Sequence, residues 1–374
     1  MPVRLTITGS TFRQGRIDRG SVHVVDGRFE DEPGPRDRHV DLPAGWIAAP
    51  GFVDLQVNGF AGHEVGGSAE GHAAIARALA AEGVTAFCPT LISGTEKEYE
   101  RAATAFAGTR WPDDGSRSLG IHLEGPLLSP ARHGAHPPDA VDAADASLVR
   151  RLVELLRPRV VTLSPERDRA LPLIAELATA GVVVSLGHTE APPELMDAAF
   201  AAGASMLTHA FNAMPGLEAR APGPLGAALL DANVFIGVIA DGVHVHPRML
   251  ALLVRLTGPR LIAVSDAVSA TSAAAGVHRL AGGGTIRRLG DRIENSRGGL
   301  AGSALGLGGA AGRLRAAGCS TEQALAAVCD APREALGMST SLTSGEPADL
   351  VILDRELRPR ATLLDGHVVW GELP

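Results

Sequence analysis

Ile121-His122-Leu123-Glu124-Gly125-Pro126 is the end of an apolar, β-prone run that starts at Leu119, closes on one carboxylate and is stopped by Gly-Pro. A carboxylate at the C-terminal end of a buried strand is costly unless a cation or a hydrogen-bonding partner receives it. Taken alone, Glu124 reads equally well as a helix-capping or loop group. Two later apolar runs end in the same manner, one in Gly187-His188-Thr189 and one in Thr208-His209. The chain can then be read as a scaffold that brings these three side chains together.

From Pro50 to about Gly337 short apolar runs recur at 52–57, 84–88, 119–123, 160–163, 182–186, 205–208, 234–240 and 261–265. Ala-rich helical stretches lie between most of them, at 69–82, 146–156, 169–180, 193–202 and 247–256. Strands alternating with helices every ~30 residues imply parallel βαβ units, and eight of them imply a closed (β/α)8 TIM-like barrel. The rival is a doubly wound open sheet, but no GxGxxG follows the first strand to support it. A Gly-rich segment, 271–299, interrupts the pattern after strand eight and reads as a hairpin over the barrel mouth; helices are expected again at 303–317 and 321–327, with Pro332 starting another turn.

The two ends of the chain have a different texture. Alternating runs at 3–7 and 21–25, and again at 346–354, 361–364 and 366–370, are joined by turn-rich segments. Each end looks like half of an antiparallel sheet. The expected organisation is a small β-sandwich domain from residues 1–48 and 345–374, with the catalytic barrel at 49–344.

Composition narrows the function. A net charge of −8 leaves no basic surplus for phosphate backbones, which argues against nucleic-acid binding. No run of about 18 apolar residues is present, so no membrane span is expected. Three cysteines without CxxC spacing, and an N-terminus lacking a long apolar core, point to a reduced, cytoplasmic protein. With 3% aromatic residues the core must be built from Ala, Val, Leu and Ile.

The polar residues at the strand ends carry the chemistry. They are Asp54, Gln56 and Asn58 on strand one, Glu124 on three, His188 on five and His209 on six. Strand seven adds Asp241 and His244, and strand eight Ser265 and Asp266. In a (β/α)8 barrel this rim is where metal and catalytic residues converge. One Glu and two His suit a divalent transition metal, zinc by default, and leave a coordination position open for water. Asp266 is the natural general base. The reaction class is metal-assisted hydrolysis of an amide or related bond.

In this order, Pro50-Gly51-Phe52-Val53-Asp54-Leu55-Gln56-Val57-Asn58-Gly59, His122-Leu123-Glu124-Gly125-Pro126, Gly134-Ala135-His136, Gly187-His188-Thr189, Thr208-His209-Ala210-Phe211-Asn212-Ala213-Met214-Pro215, Asp241-Gly242-Val243-His244-Val245, Ser265-Asp266-Ala267 and Leu300-Ala301-Gly302-Ser303 resemble the amidohydrolase superfamily. Within it they are similar to the branch that deacetylates N-acetylglucosamine 6-phosphate. The resemblance implies Glu124, His188 and His209 as metal ligands, Asp266 as acid/base, and His136 as the group that polarises the acetyl carbonyl. It implies sugar and acetamide contacts from Ala135, Asn212, Ala213, Asp241, Leu300, Ala301 and Gly302. Arg220 and His244 would bind the phosphate, reaching across a homodimer interface. The substrate would be a phosphorylated N-acetyl amino sugar, with the galacto epimer as an alternative and a non-catalytic scaffold as the outlier.

Departures matter. Many superfamily members carry His-x-His on strand one for a second metal; here the corresponding positions are taken as Asp54 and Gln56, with Asn58 following. The only lysine, Lys97, falls in a helical stretch (95–106), which excludes a bridging carbamylated lysine. One divalent metal per subunit is therefore expected, Zn2+ or else Fe2+ or another ion. Gln56 is retained as a possible site residue. His63, His133 and Glu166 read as loop or structural groups, His246 as a helix cap, and Cys88 as a small buried side chain.

Overall fold

The computed structural model describes residues 4–34, 38–280, 284–339 and 342–374. Its centre is a parallel barrel of eight strands: β1 (Phe52–Val57), β2 (Val84–Leu91), β3 (His122–Glu124), β4 (Val160–Leu163), β5 (Val183–Leu186), β6 (Met206–Leu207), β7 (Phe235–Ile239) and β8 (Leu261–Val264). Each pairs in parallel with the next. The ring closes at the end of β1 and just past β8, where Val57 bridges Ala267 and the Asn58 amide donates to the Ala267 carbonyl at 2.7 Å. The strands form because most of their residues are apolar, with Val, Ile and Thr frequent in β2, β4, β5, β7 and β8, and burial on both faces rewards that composition.

The helices between them are amphipathic. In the helix Ala146–Leu156, Val149, Leu152 and Leu156 are buried at helical spacing, each contributing roughly 1.5–3 kcal/mol on burial. Asp145 caps its N-terminus by accepting from Leu148 N at 2.7 Å. Left-handed Arg157 ends it.

The two ends of the chain interleave in one mixed sheet of eight strands. Its order is His367–Gly371, Pro359–Leu364, Leu350–Leu353, Ile47–Pro50, Arg4–Arg13, Arg16–Val25 and Arg28–Glu30, with Arg38–Asp41 also pairing on Arg4–Arg13. Ile7, Val22, Val24 and Phe29 share one core with Leu350, Ile352 and Leu363. The sheet thus folds over itself in the manner of a sandwich.

Several elements differ from expectation. The third run is not one strand: Arg117–Ser118 pairs with Ala86–Phe87, and pairing resumes only at His122. Between them Gly120 adopts φ +108°, outside the strand region. β2 runs three residues past Cys88, to Leu91. The 271–299 segment is a three-stranded antiparallel sheet (Gly276–Leu280, Gly284–Leu289, Arg292–Asn295) rather than a single hairpin. A helix at Gly223–Leu230 has no Ala-rich signature, being rich in Gly and Pro. The 303–317 stretch yields only one 3-10 turn, Leu307–Gly309, and the helix Ala310–Ala316, while Pro332 lies inside the helix Asp330–Ala335.

Candidate active site

Three chemistry-bearing side chains leave the barrel by the same local device. His188, His209 and Asp266 each sit two residues beyond the last residue of β5, β6 and β8. Each has a left-handed backbone, with φ of 50°, 26° and 50°. A non-glycine residue there costs of order 1–3 kcal/mol. Glu124, the last residue of β3, is followed by Gly125 at φ +84°.

The result is a tight cluster. Glu124 Oε1 lies 3.1 Å from His209 Nε2 and 3.3 Å from His188 Nε2. The two Nε2 atoms are 3.1 Å apart. All three side chains are buried. His188 Nδ1 faces the Arg132 carbonyl at 2.8 Å, and because that oxygen only accepts, Nδ1 carries the proton. His188 Nε2 therefore turns a lone pair toward a carboxylate, an arrangement that calls for a cation between them. Burial alone would raise the Glu124 carboxyl, yet the adjoining His188 and His209 side chains hold it well below the usual carboxylate range. Burial likewise opposes charge on His209, but Glu124 raises it. The donor set fits a divalent metal.

Two carboxamides, Gln56 in β1 and Asn58 just after it, brace the carboxylates. Gln56 Nε2 donates to Glu124 Oε1 at 2.9 Å, and Asn58 Nδ2 donates to Asp266 Oδ1 at 2.8 Å. Asp54, on the same face of β1, lies one layer deeper and accepts from Gln56 N and Ser265 N, both at 3.2 Å. The strand-one pair at the site is thus Gln56 and Asn58, not Asp54 and Gln56. Asp266 is raised above its ordinary value, first by burial and then by Glu124. His136 is pushed down to about 3 by burial and by His188, with which it stacks edge to face at 4.6 Å.

These groups share a cavity of about 240 Å³ with Ala135, Asn212, Ala213, His244, Leu300, Ala301 and Gly302. Three expected site residues are not among its walls. Gln56 stands behind Glu124. Asp241 holds His244: its Oδ2 meets His244 Nδ1 at 2.7 Å, and although burial opposes ionisation, His244 pulls its carboxyl down to about 2. Arg220 is exposed on the loop before the helix Gly223–Leu230. Leu280, from the inserted sheet, does line the cavity. Arg297, just past that sheet, donates to the Gly134 carbonyl at 3.1 Å.

The remaining candidates take supporting positions. Glu166 accepts from Thr189 Oγ1 at 2.6 Å and Glu190 N at 2.8 Å, so it holds the loop that follows His188. His246 accepts from Arg248 N at 3.2 Å as a helix cap. His133 is half-buried and donates to the Pro130 carbonyl at 2.9 Å, while His63 lies exposed in a short paired turn. Sequence reading missed Ser93, which contacts His136 Nδ1, and the apolar lining residues Ile92 and Val268. It also gave Asn58 no partner, although strict alternation from Gln56 was a usable signal.

Comparison with known proteins agrees with this geometry. The amidohydrolase family model matches residues 47–369. A Mus musculus protein named N-acetylglucosamine-6-phosphate deacetylase is 35% identical over 389 aligned residues, covering 96% of this chain and 93% of its own. An Escherichia coli O157:H7 protein named N-acetylgalactosamine-6-phosphate deacetylase is 31% identical over 367, covering 95% and 96%. Among solved structures, a mutant N-acetyl-D-glucosamine-6-phosphate deacetylase from Mycobacterium smegmatis, in complex with N-acetyl-D-glucosamine-6-phosphate, superimposes with a TM-score of 0.89 at 32% identity, covering 98% of this chain and 99% of that one.

Proposed function

The chain belongs to the amidohydrolase family, and we propose that it hydrolyses N-acetyl-D-glucosamine 6-phosphate to D-glucosamine 6-phosphate and acetate. The observation that carries this reading is the convergence of Glu124, His188 and His209 in one cavity with Asp266 and His136. The family is metal-dependent, and we assign one ion per subunit to Glu124, His188 and His209, zinc by default. Bound there, a divalent cation would polarise the acetamide carbonyl and make water acidic near neutral pH. Asp266 takes a proton from the attacking water and passes it to the departing amino nitrogen. His136 donates to the carbonyl oxygen as it gains charge. Gln56 and Asn58 are already engaged with carboxylates and are poor metal ligands, which supports a single ion.

The phosphate falls to His244, positioned by Asp241, and to Arg220, whose planar guanidinium can meet phosphate oxygens with two hydrogen bonds. Arg220 is exposed and off the cavity wall, so we assign it to the partner's cavity in a homodimer. Leu230, Leu252 and Leu256 are exposed on the helices Gly223–Leu230 and Pro247–Thr257, which follow β6 and β7, and they support an interface on that side. We place the domain division at 1–48 with 345–374 against 49–344. Three unpaired, buried cysteines fit a reducing cytoplasm. Among the described residues no helix is long and apolar enough to cross a membrane.

Metal analysis of the purified protein, followed by acetate release from the gluco and galacto 6-phosphates side by side, tests the assignment. About one ion per chain and turnover of the gluco epimer are expected. Glu124→Gln should lose metal and activity together; a fully metallated, active variant would overturn the ligand set.

A further inference from the structure

The second barrel strand contributes to the rim in a way that no motif announced. Ser93 lies two residues past the end of β2, the same offset at which β5, β6 and β8 present His188, His209 and Asp266. It is fully buried. Its backbone N–H points at His136 Nδ1 at 3.2 Å, and its Oγ lies 2.8 Å from the same nitrogen. The hydroxyl is packed in place: a Cβ at Gly125 would come within 2.6 Å of Ser93 Oγ.

A backbone N–H can only donate, so the nitrogen it meets must offer a lone pair. His136 Nδ1 is therefore the unprotonated nitrogen of the ring, and the hydroxyl donates to it as well. The ring proton of neutral imidazole must then be on Nε2. That atom is 3.9 Å from Glu124 Oε2, too far to be spent in a hydrogen bond there, and the ring forms part of the cavity wall.

We propose that Ser93 is a positioning residue which, through its backbone N–H and its hydroxyl, locks His136 in the Nε2–H tautomer. His136 is thereby a hydrogen-bond donor to the substrate and has no lone pair aimed into the cavity with which to accept a proton. The two proton-handling duties of an amide hydrolase are thus separated: Asp266 moves protons and His136 only donates a hydrogen bond. A free imidazole would divide its proton between both nitrogens, and every molecule with the proton on Nδ1 would turn a lone pair against the developing oxyanion.

The proposal rests on the deacetylase reading for the task of His136, but the tautomer itself is measurable without substrate. The experiment is nitrogen NMR of zinc-loaded protein carrying 15N-labelled histidine, with the His136 signals assigned by their loss in His136→Gln. Nδ1 should resonate as an unprotonated ring nitrogen and Nε2 as a protonated one. Ser93→Ala should lower kcat roughly 10–100-fold, the range seen for partners that orient a functional imidazole, with KM nearly unchanged. The proposal is overturned if His136 Nδ1 bears a proton in the wild-type protein, or if Ser93→Ala keeps kcat within twofold. Absence of acetate release by the wild type would instead sink the substrate assignment and leave the NMR result to be judged by itself.

Discussion

Asp54 should make the folded protein less stable as pH rises, and replacing it should remove that slope. The carboxyl is fully buried in the barrel; Oδ1 accepts from Gln56 N and Ser265 N, and Oδ2 has no partner among the described residues. Burial, opposed in part by Ser265, moves its pKa from 3.8 to about 7. Because the folded value is raised, the folded state holds a proton between pH 4 and 7 that the unfolded chain has released. Stability contributed by this group is therefore intact below pH 4, falls through that window, and is lost above pH 7. Each pH unit corresponds to about 1.4 kcal/mol, so the whole window is worth about 4 kcal/mol. Asn at this position keeps the Oδ1 acceptor and replaces the unsatisfied oxygen by an amide that also lacks a partner, a cost of about 1–3 kcal/mol at any pH. Asp54→Asn should then melt near or below the wild type at pH 4.5 and clearly above it at pH 8. The assay is calorimetric Tm across pH 4.5–8 on chelator-treated protein, since a bound cation nearby would itself favour the Asp54 anion. A Tm difference between the two proteins that does not change with pH would refute the reasoning.

Two further substitutions separate the tasks of the site. Asp266→Asn keeps the hydrogen-bond geometry with Asn58 but cannot accept a proton, so kcat should fall by at least about 10²-fold while metal content stays at the wild-type level; full turnover in this variant would remove Asp266 from its role. Arg220→Ala should raise KM for the phosphorylated sugar with little change in kcat, because a phosphate contact distant from the reacting carbonyl binds ground and transition states alike. Unchanged KM would disprove the phosphate assignment, and mixing Arg220→Ala with His244→Ala should restore a fraction of tight-binding sites if the arginine acts in the partner's cavity.

The barrel was legible because most strands are short apolar runs and most connecting helices carry their own periodicity. Glu124, His188 and His209 were legible as a set: each alone has a bland use, but three such residues closing apolar runs on one rim point to a shared site. What escaped was depth and direction. Asp54, Gln56 and Asn58 share one face of β1 at a period of two, and nothing in the letters says that the working layer begins at Gln56 rather than Asp54. Gly120 reads as an ordinary residue within an apolar stretch, yet its positive φ breaks that stretch and leaves β3 three residues long. Ser93 is one hydroxyl in a loop, and only its distance to His136 gives it a meaning. The helix Gly223–Leu230 is concealed by the glycines and prolines that also permit the Arg220 loop ahead of it.

The left-handed backbones of His188, His209 and Asp266 imply a division of interest between the scaffold and the chemistry. Glycine would accept those φ values without strain, so the conformation is no obstacle to folding, and what it resists is any side chain at all at these three rim positions. A catalytically dead variant with glycine at one of them can therefore be sturdier than its parent. Drift toward thermal robustness and retention of the site pull on the same three codons in opposite directions. Survival of all three side chains in a lineage that has lost neither barrel nor rim would then be a record of selection on turnover, since folding alone would have let them go.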